Sequence, residues 1–310
     1  MIEQILSLPL PVDETYHISK NVISNGEGKR ICLVTGTHGD ELEGQYVCFL
    51  VAQALKKNIK KLHGSVEIYP ATNPLGIDSI SRSIPAFDLD MNRTFPGNIG
   101  GNMVDYTAAR IVEDLEGADL VIDIHASNIY LTEMPQIRIN ELHSDVLLPL
   151  AKKANVDFIW VHGANTVLES TLAYSLNSRN TPCLVVEMGV GMRLTGEYGQ
   201  QLLDGIFNIM KDFGMWDGEV PPAREPIIST DNDEVDFLNA PTAGMFMKTK
   251  NHGTWVTKGE TVGYIFDPLK GEVTEYITAS KSGLLFTVRE YPLVDEGSLM
   301  GRILVREKSR

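Results

Sequence analysis

Apolar and polar positions follow two rhythms along the first 225 residues. Short unbroken apolar runs, RICLVT at 30–35, VEIYP at 66–70, LVIDI at 120–124 and CLVVE at 183–187, read as strands buried on both faces. Longer mixed stretches separate them. Residues 40–57 carry acids in their first turn and lysines in their last, which predicts a helix whose charges complement its own dipole. Residues 102–115, 143–154 and 198–213 predict three more helices. Strands this apolar, spaced by helices, predict an α/β sheet covered on both faces. In such a sheet, ligands gather just past the C-terminal ends of the strands.

The rhythm changes after a segment at 217–236 that holds three prolines and many acids. The tail beyond it is punctuated by glycine and carries an internal echo. Gly244, Gly259 and Gly263 are answered by Gly283, Gly297 and Gly301, at offsets of 39, 38 and 38 residues. Two glycine-turned strand units of this kind predict a small pseudo-symmetric barrel or sandwich built from half-repeats. The expected division is 1–225 for the α/β part and 226–310 for the β part.

Charge narrows the partners. The 310 residues include 41 acidic and 27 basic ones, for a net charge of −14. Residues 1–225 hold 29 acids against 17 bases, a net −12, and residues 226–310 hold 12 against 10, a net −2. Neither part has the basic footprint of a nucleic-acid binder, and neither suits an anionic membrane surface. No window of 18 apolar residues occurs, and the opening MIEQILSLPLPVDETYH lacks a basic segment followed by an apolar core. The expected location is therefore the cytoplasm. Cys32, Cys48 and Cys183 each lie in apolar text, scattered too widely for a disulfide framework, and are expected to pack as buried thiols.

Chemistry gathers at strand ends. His38 and Glu41, in TGTHGDELEG, follow the first strand at a spacing that brings imidazole and carboxylate toward one side. His125 ends DLVIDIH. Two imidazoles and a carboxylate form the ligand set of hydrolytic zinc, with a fourth position for water. The same residues also suit a turn histidine, a helix-dipole partner and a hydrogen-bonded core histidine, and spacing alone leaves both readings open. Glu187, ending CLVVE, reads either as a general base or as a surface carboxylate. The glycines of GTHGDELEG lack the Lys-Ser/Thr of a phosphate loop and the three-glycine dinucleotide pattern.

Five ordered motifs go further: THGDELEG at 37–44, NPLG at 73–76, DLDMNRTFPG at 88–97, DIH at 123–125 and VVEMG at 185–189. With these the chain resembles the succinylglutamate desuccinylase/aspartoacylase family, a branch of the zinc-carboxypeptidase-like hydrolases. The resemblance implies a three-layer αβα domain with a mixed sheet, followed by a small all-β barrel or sandwich of biotinyl/lipoyl-like half-repeats. It implies one Zn2+ per chain on His38, Glu41 and His125, with Glu187 as the catalytic carboxylate. Asn92 and Arg93 correspond to the pair that holds the substrate carboxylate, and Arg82 to an arginine that polarises the scissile carbonyl. The family text DLNR reads DMNR here, a conservative change. Arg179, eight residues before Glu187, is a further cation placed to meet a distal group of the substrate. Lys281, in ASKSG, lacks the flanking methionines of a cofactor carrier, so the tail reads as lid or scaffold.

The expected activity is zinc-dependent release of an acyl group from a small N-acyl amino acid or related N-acyl amine. A metallocarboxypeptidase-type peptidase uses the same apparatus and is the rival enzyme. A small-molecule binding protein, with or without metal, is the rival of another class. The sequence leaves room for a homo-oligomer. His17, His63 and His252 read as surface histidines, His143 stands in a helical register, and His162 belongs to a glycine-containing loop that could line the pocket.

Overall fold

The computed structural model describes residues 1–163, 169–230 and 234–307. The chain opens with an antiparallel hairpin, β1 (Ile2–Pro9) and β2 (Thr15–Asn25). Then follow β3 (Arg30–Thr35), α1 (Glu43–Lys57), β4 (Gly64–Tyr69), α2 (Pro74–Ser79), α3 (Met103–Leu115) and β5 (Leu120–His125). Next come β6 (Leu131–Asn140), α4 (Ser144–Ala151), β7 (Phe158–His162), α5 (Leu172–Asn177), β8 (Cys183–Gly189) and α6 (Gly196–Asp212). All four predicted strands and all four predicted helices are present. The first helix begins at Glu43 rather than at residue 40, because residues 38–42 form a turn at the site described below.

The central strands run in the order β2-β4-β3-β5-β8-β6. β3 is parallel to β4 and β5, and β5 to β8, whereas β2 and β6 join antiparallel, so the sheet is mixed. Two apolar clusters cover it. α1, α4 and α6 contribute Val47, Val51, Leu147, Leu202 and Ile206 to one face. α3 and α5 contribute Val104, Ala108, Ile111, Leu172 and Leu176 to the other. This is the three-layer αβα arrangement. α3 is fixed at its start by a capping box between Asn102 and Asp105, which satisfies backbone N–H groups that the first turn leaves unpaired.

The tail comprises β9 (Ile227–Ser229), β10 (Val235–Asn239), β11 (Gly244–Lys248), β12 (Thr254–Val256), β13 (Thr261–Asp267), β14 (Glu272–Thr278), β15 (Gly283–Arg289), β16 (Leu293–Val294) and β17 (Leu299–Val305). Its half-repeats are those that the glycine echo predicts. Gly244 opens β11 as Gly283 opens β15, and Gly263 lies in β13 as Gly301 lies in β17. Gly259 and Gly297 stand in the matching turns at φ +85° and +83°, a left-handed conformation that glycine adopts without steric cost. The halves also exchange strands: β12 of the first pairs with β15 of the second, and β16 of the second with β11 of the first. β11, β13, β14 and β16 form a separate antiparallel sheet. β15 instead pairs with β6 through Thr287 and Glu133, so β15, β17 and β10 extend the catalytic sheet.

All three cysteines are buried free thiols, as expected. Among the described residues, no helix is long and apolar enough to cross a membrane.

Candidate active site

Strand register builds the site. β5 and β8 pair in parallel with His125 opposite Glu187, which places two candidate residues from distant sequence side by side at one sheet edge. His38 and Glu41 arrive from the turn after β3, the neighbour of β5. That turn is held against the NPLG loop: a Cβ on Gly39 would fall 1.9 Å from the Gly76 carbonyl carbon, so only glycine allows this approach. Asn73, whose side chain accepts from Gly76 N, starts α2 on the other side. Glu43, fully buried, ties the turn to the segment before α6 by accepting from Thr195 N at 2.8 Å and Thr195 Oγ1 at 2.6 Å.

His38, Glu41 and His125 are 3–4% exposed, and one ligand atom from each lies within 4.8 Å of the others. Nδ1 of His38 is 2.8 Å from Glu41 Oε1, and Nδ1 of His125 is 3.0 Å from Glu41 Oε2. On the far side of each ring stands another carboxylate. Asp90 Oδ1 is 3.0 Å from His38 Nε2, and Asp123 Oδ2 is 3.0 Å from His125 Nε2. Both imidazoles are thus held from behind, with Nδ1 turned toward Glu41. Buried carboxylates that orient ligand histidines in this way are the usual outer support of a zinc site. The two imidazole Nδ1 atoms and the Glu41 carboxylate thus converge on one buried point, where an ion would meet all three. The donor set, two imidazole nitrogens and a carboxylate, fits one zinc ion.

The surrounding charges agree with that reading. Burial pushes the Glu41 carboxyl up, but hydrogen bonds and the nearby imidazoles outweigh it and hold its pKa well below the usual range. Asp90 is also held low, burial being outweighed by its hydrogen bond to His38 and by the His38, Arg82 and Arg93 charges. Glu187 behaves oppositely. Burial, partly offset by Arg138, pushes its pKa up to about 7, in the range suited to accepting and returning a proton near neutral pH. Arg138 Nη1 lies 3.3 Å from Glu187 Oε1.

His38, Glu41, Asp123, His125 and Glu187 line one cavity of about 640 Å³, together with Arg82, Asn92, Arg93, Arg138 and Trp160. Arg82 forks between Glu41 Oε1 at 3.0 Å and Asp90 Oδ2 at 3.1 Å. Asp90 therefore pairs with both Arg82 and His38. Asn92 accepts from Leu172 N at the start of α5 and donates its own N–H to Asp90. Arg93 is exposed at the cavity mouth and donates Nη1 to the Asn92 carbonyl. Arg179 is not brought to the cavity: it is exposed beyond α5, with Nη1 on the Ser175 carbonyl. The expected contact between this cation and a substrate has no geometric support.

Several cavity residues escaped sequence reasoning. Asp123 was legible in principle, because a strand's period of two puts it on the same face as His125. His143, read as a helical residue, lines the cavity, and so does His162, which the sequence placed in a loop able to line the pocket. Glu133, Arg138 and Arg302 are polar residues brought in by strand pairing, and no local pattern announces them. His252 is half-buried rather than at the surface, because its ring meets the Tyr198 hydroxyl of α6.

Comparison with known proteins places this geometry. The succinylglutamate desuccinylase/aspartoacylase catalytic domain matches residues 27–213. An N-alpha-acetyl-L-2,4-diaminobutyric acid deacetylase from Halomonas elongata is 25% identical over 304 residues, covering 93% of this chain and 86% of that protein. The product-bound structure of the ectoine utilization protein EutE (DoeB) from Ruegeria pomeroyi superposes with a TM-score of 0.84 at 21% identity, over 98% of this chain and 95% of that one. A succinylglutamate desuccinylase/aspartoacylase from Rhodobacter sphaeroides gives 0.81 at 23% identity, over 97% and 95%. The chain belongs to the succinylglutamate desuccinylase/aspartoacylase family, and its buried His/Glu/His cluster makes it a zinc-dependent hydrolase of the deacylase type.

Proposed function

We propose that the chain hydrolyses the amide of a small N-acyl amino acid, releasing the acyl group as a free acid and the amino acid as an amine. N-α-acetyl-L-2,4-diaminobutyrate is the first candidate, since the Halomonas relative is named for its deacetylation and aligns along nearly the whole chain. The observation that carries the reading is the pairing of His125 with Glu187 across β5 and β8, which sets a proton acceptor beside the zinc ligands in one cavity.

His38, Glu41 and His125 would hold the ion, with Asp90 and Asp123 fixing the two rings. Zinc, when bound, supplies a positive charge that polarises the amide carbonyl and makes water acidic near neutral pH. Glu187 takes the proton of the attacking water and later delivers it to the departing amine. Arg82, held by Glu41 and Asp90, has further guanidinium N–H groups to turn toward the oxyanion, a contribution of about 3 kcal/mol in sites of this kind. Arg93 meets the substrate carboxylate as a planar donor, and Asn92, anchored by Leu172 N, sets the angle of approach.

The proposal also covers the division of the chain at 225/226, the place where composition changes, and a cytoplasmic location, which suits three unpaired thiols. The test is a panel of N-acyl amino acids, led by N-α-acetyl-L-2,4-diaminobutyrate, assayed for released amine with zinc supplied or chelated. Zinc-dependent release is expected, and Glu187→Gln should lower kcat by about 10²- to 10⁴-fold while leaving zinc content unchanged. Release of C-terminal residues from peptides with no deacylation, or full activity in Glu187→Gln, would overturn the reading.

A further inference from the structure

The cavity has a wall that belongs to the C-terminal β unit. Arg302 on β17 and Phe237 on β10 both line it. Arg302 does not stand alone. Its Nη1 donates to Glu133 Oε1 at 2.5 Å, and Thr287 Oγ1 on β15 donates to the same oxygen at 3.0 Å. Glu133, on β6, is fully enclosed. From the catalytic side, Arg138 Nη2 donates to both Glu133 oxygens, at 3.1 and 2.8 Å. The other terminal nitrogen of Arg138 meets Glu187 Oε1 at 3.3 Å. Charges therefore alternate along an unbroken line: Arg302, Glu133, Arg138, Glu187.

The line is built to be stiff. The Arg138 guanidinium lies over the Trp160 ring at 6.0 Å and that of Arg302 over Phe237 at 5.9 Å, so each cation also meets an aromatic ring. A fully enclosed carboxylate is costly unless its partners are complete, and two of the three partners of Glu133 come from the C-terminal unit. Without them, Arg138 would turn further toward Glu133 or Glu133 would shift, and either movement carries the Glu187 contact with it. Arg138 comes to 3.3 Å from Oε1, so a shift of the guanidinium changes how the Glu187 carboxylate is held.

We propose that Arg302 is a positioning residue for hydrolysis: through Glu133 it fixes Arg138, and through Arg138 it fixes the Glu187 carboxylate. The C-terminal unit is then a structural part of the catalytic site. The inference rests on the proposed role of Glu187, and its test separates the two ideas.

Arg302→Met and Arg302→Lys are made in the full-length, zinc-loaded protein and compared with wild type by crystallography and by kinetics on N-α-acetyl-L-2,4-diaminobutyrate or the panel substrate cleaved fastest. The crystallographic arm needs no activity. In Arg302→Met the Arg138 guanidinium should leave its 3.3 Å contact and the Glu187 carboxylate should rotate. The same two side chains in unchanged positions would overturn the proposal, whatever the fate of the deacylase reading. In the kinetic arm kcat should fall by about a hundredfold, as for a misplaced catalytic group, with KM within about twofold and zinc content unchanged. Arg302→Lys keeps the charge and guards against a folding defect, and it should recover part of kcat. Adding Arg302→Met to Glu187→Gln should cause no further loss. A raised KM with unchanged kcat would mean that Arg302 touches substrate. A loss confined to thermal stability would mean a purely structural role, and either result would sink the proposal.

Discussion

Asp123 and His125 leave β5 on the same face, and the Asp123 carboxylate stands 3.0 Å behind Nε2 of the imidazole. Asp90 does the same for His38 from the loop at 88–97. Each carboxylate selects the ring orientation in which Nδ1 faces Glu41, and a negative charge there makes the imidazole a better electron-pair donor. Asp123→Asn keeps the shape and removes the charge, so zinc affinity should fall by about 10- to 100-fold. Competition against a chromophoric chelator measures it, and an affinity equal to wild type would show that Asp123 is not supporting the site. Glu187→Gln should leave this affinity unchanged, which separates support of the ion from proton transfer. The five motifs marked where the His/Glu/His cluster and Glu187 lie in sequence. They could not show what stands behind each ring, because Asp90 reaches His38 only once the 88–97 loop folds against the turn after β3.

At the scale of elements, legibility followed polarity. The strands read from sequence, β3, β4, β5 and β8, are apolar on both faces because helices cover both sides. β6 went unread for the opposite reason: Glu133, Gln136 and Arg138 interrupt its apolar text where it borders the cavity. β2 went unread because Lys20 occupies a core-facing position on the same face as Tyr16 and Ile18. That lysine is held by Glu67 on β4 at 3.0 Å and by Asp114 on α3 at 2.9 Å, and it joins the hairpin to the main sheet and to a covering helix. Burial would lower its pKa, but the hydrogen bonds and charges of Asp114 and Glu67 outweigh burial and raise it above 10.5. Its contribution is therefore complete below the unfolded value and is lost as pH rises through the higher folded one. Lys20→Met leaves Asp114 without its cation and Glu67 with only the 3.5 Å contact to Arg30, and should cost about 3 kcal/mol at pH 8. Urea midpoints at pH 8 and pH 11 test the sign: the gap from wild type should narrow at the higher pH. A constant gap would mean that the lost stability comes from packing.

The whole molecule is joined more closely than its composition suggests. The glycine echo made the half-repeats visible, but not the strand pairing that adds β15, β17 and β10 to the catalytic sheet. A second seam is apolar: Phe158 and Trp160 of β7 pack with Phe286 of β15, the two phenylalanine rings 4.9 Å apart. A continuous sheet and a shared apolar cluster couple the unfolding of the two parts, because neither can open without exposing the other's edge. Zinc gives this coupling a handle. An ion that binds only the folded chain stabilises it by RT ln(1 + [Zn]/Kd), about 4 kcal/mol at a thousandfold excess over Kd. Its ligands come from the turn after β3 and from the end of β5, both in the middle of the joined sheet. Calorimetry of the zinc-loaded protein should show one transition, and chelation should move all of it to lower temperature by several degrees. The C-terminal unit, which supplies no ligand to the cluster, would lose stability along with the rest. Two resolved transitions, of which only one responds to the chelator, would mean that the two parts fold as independent bodies in spite of the sheet they share.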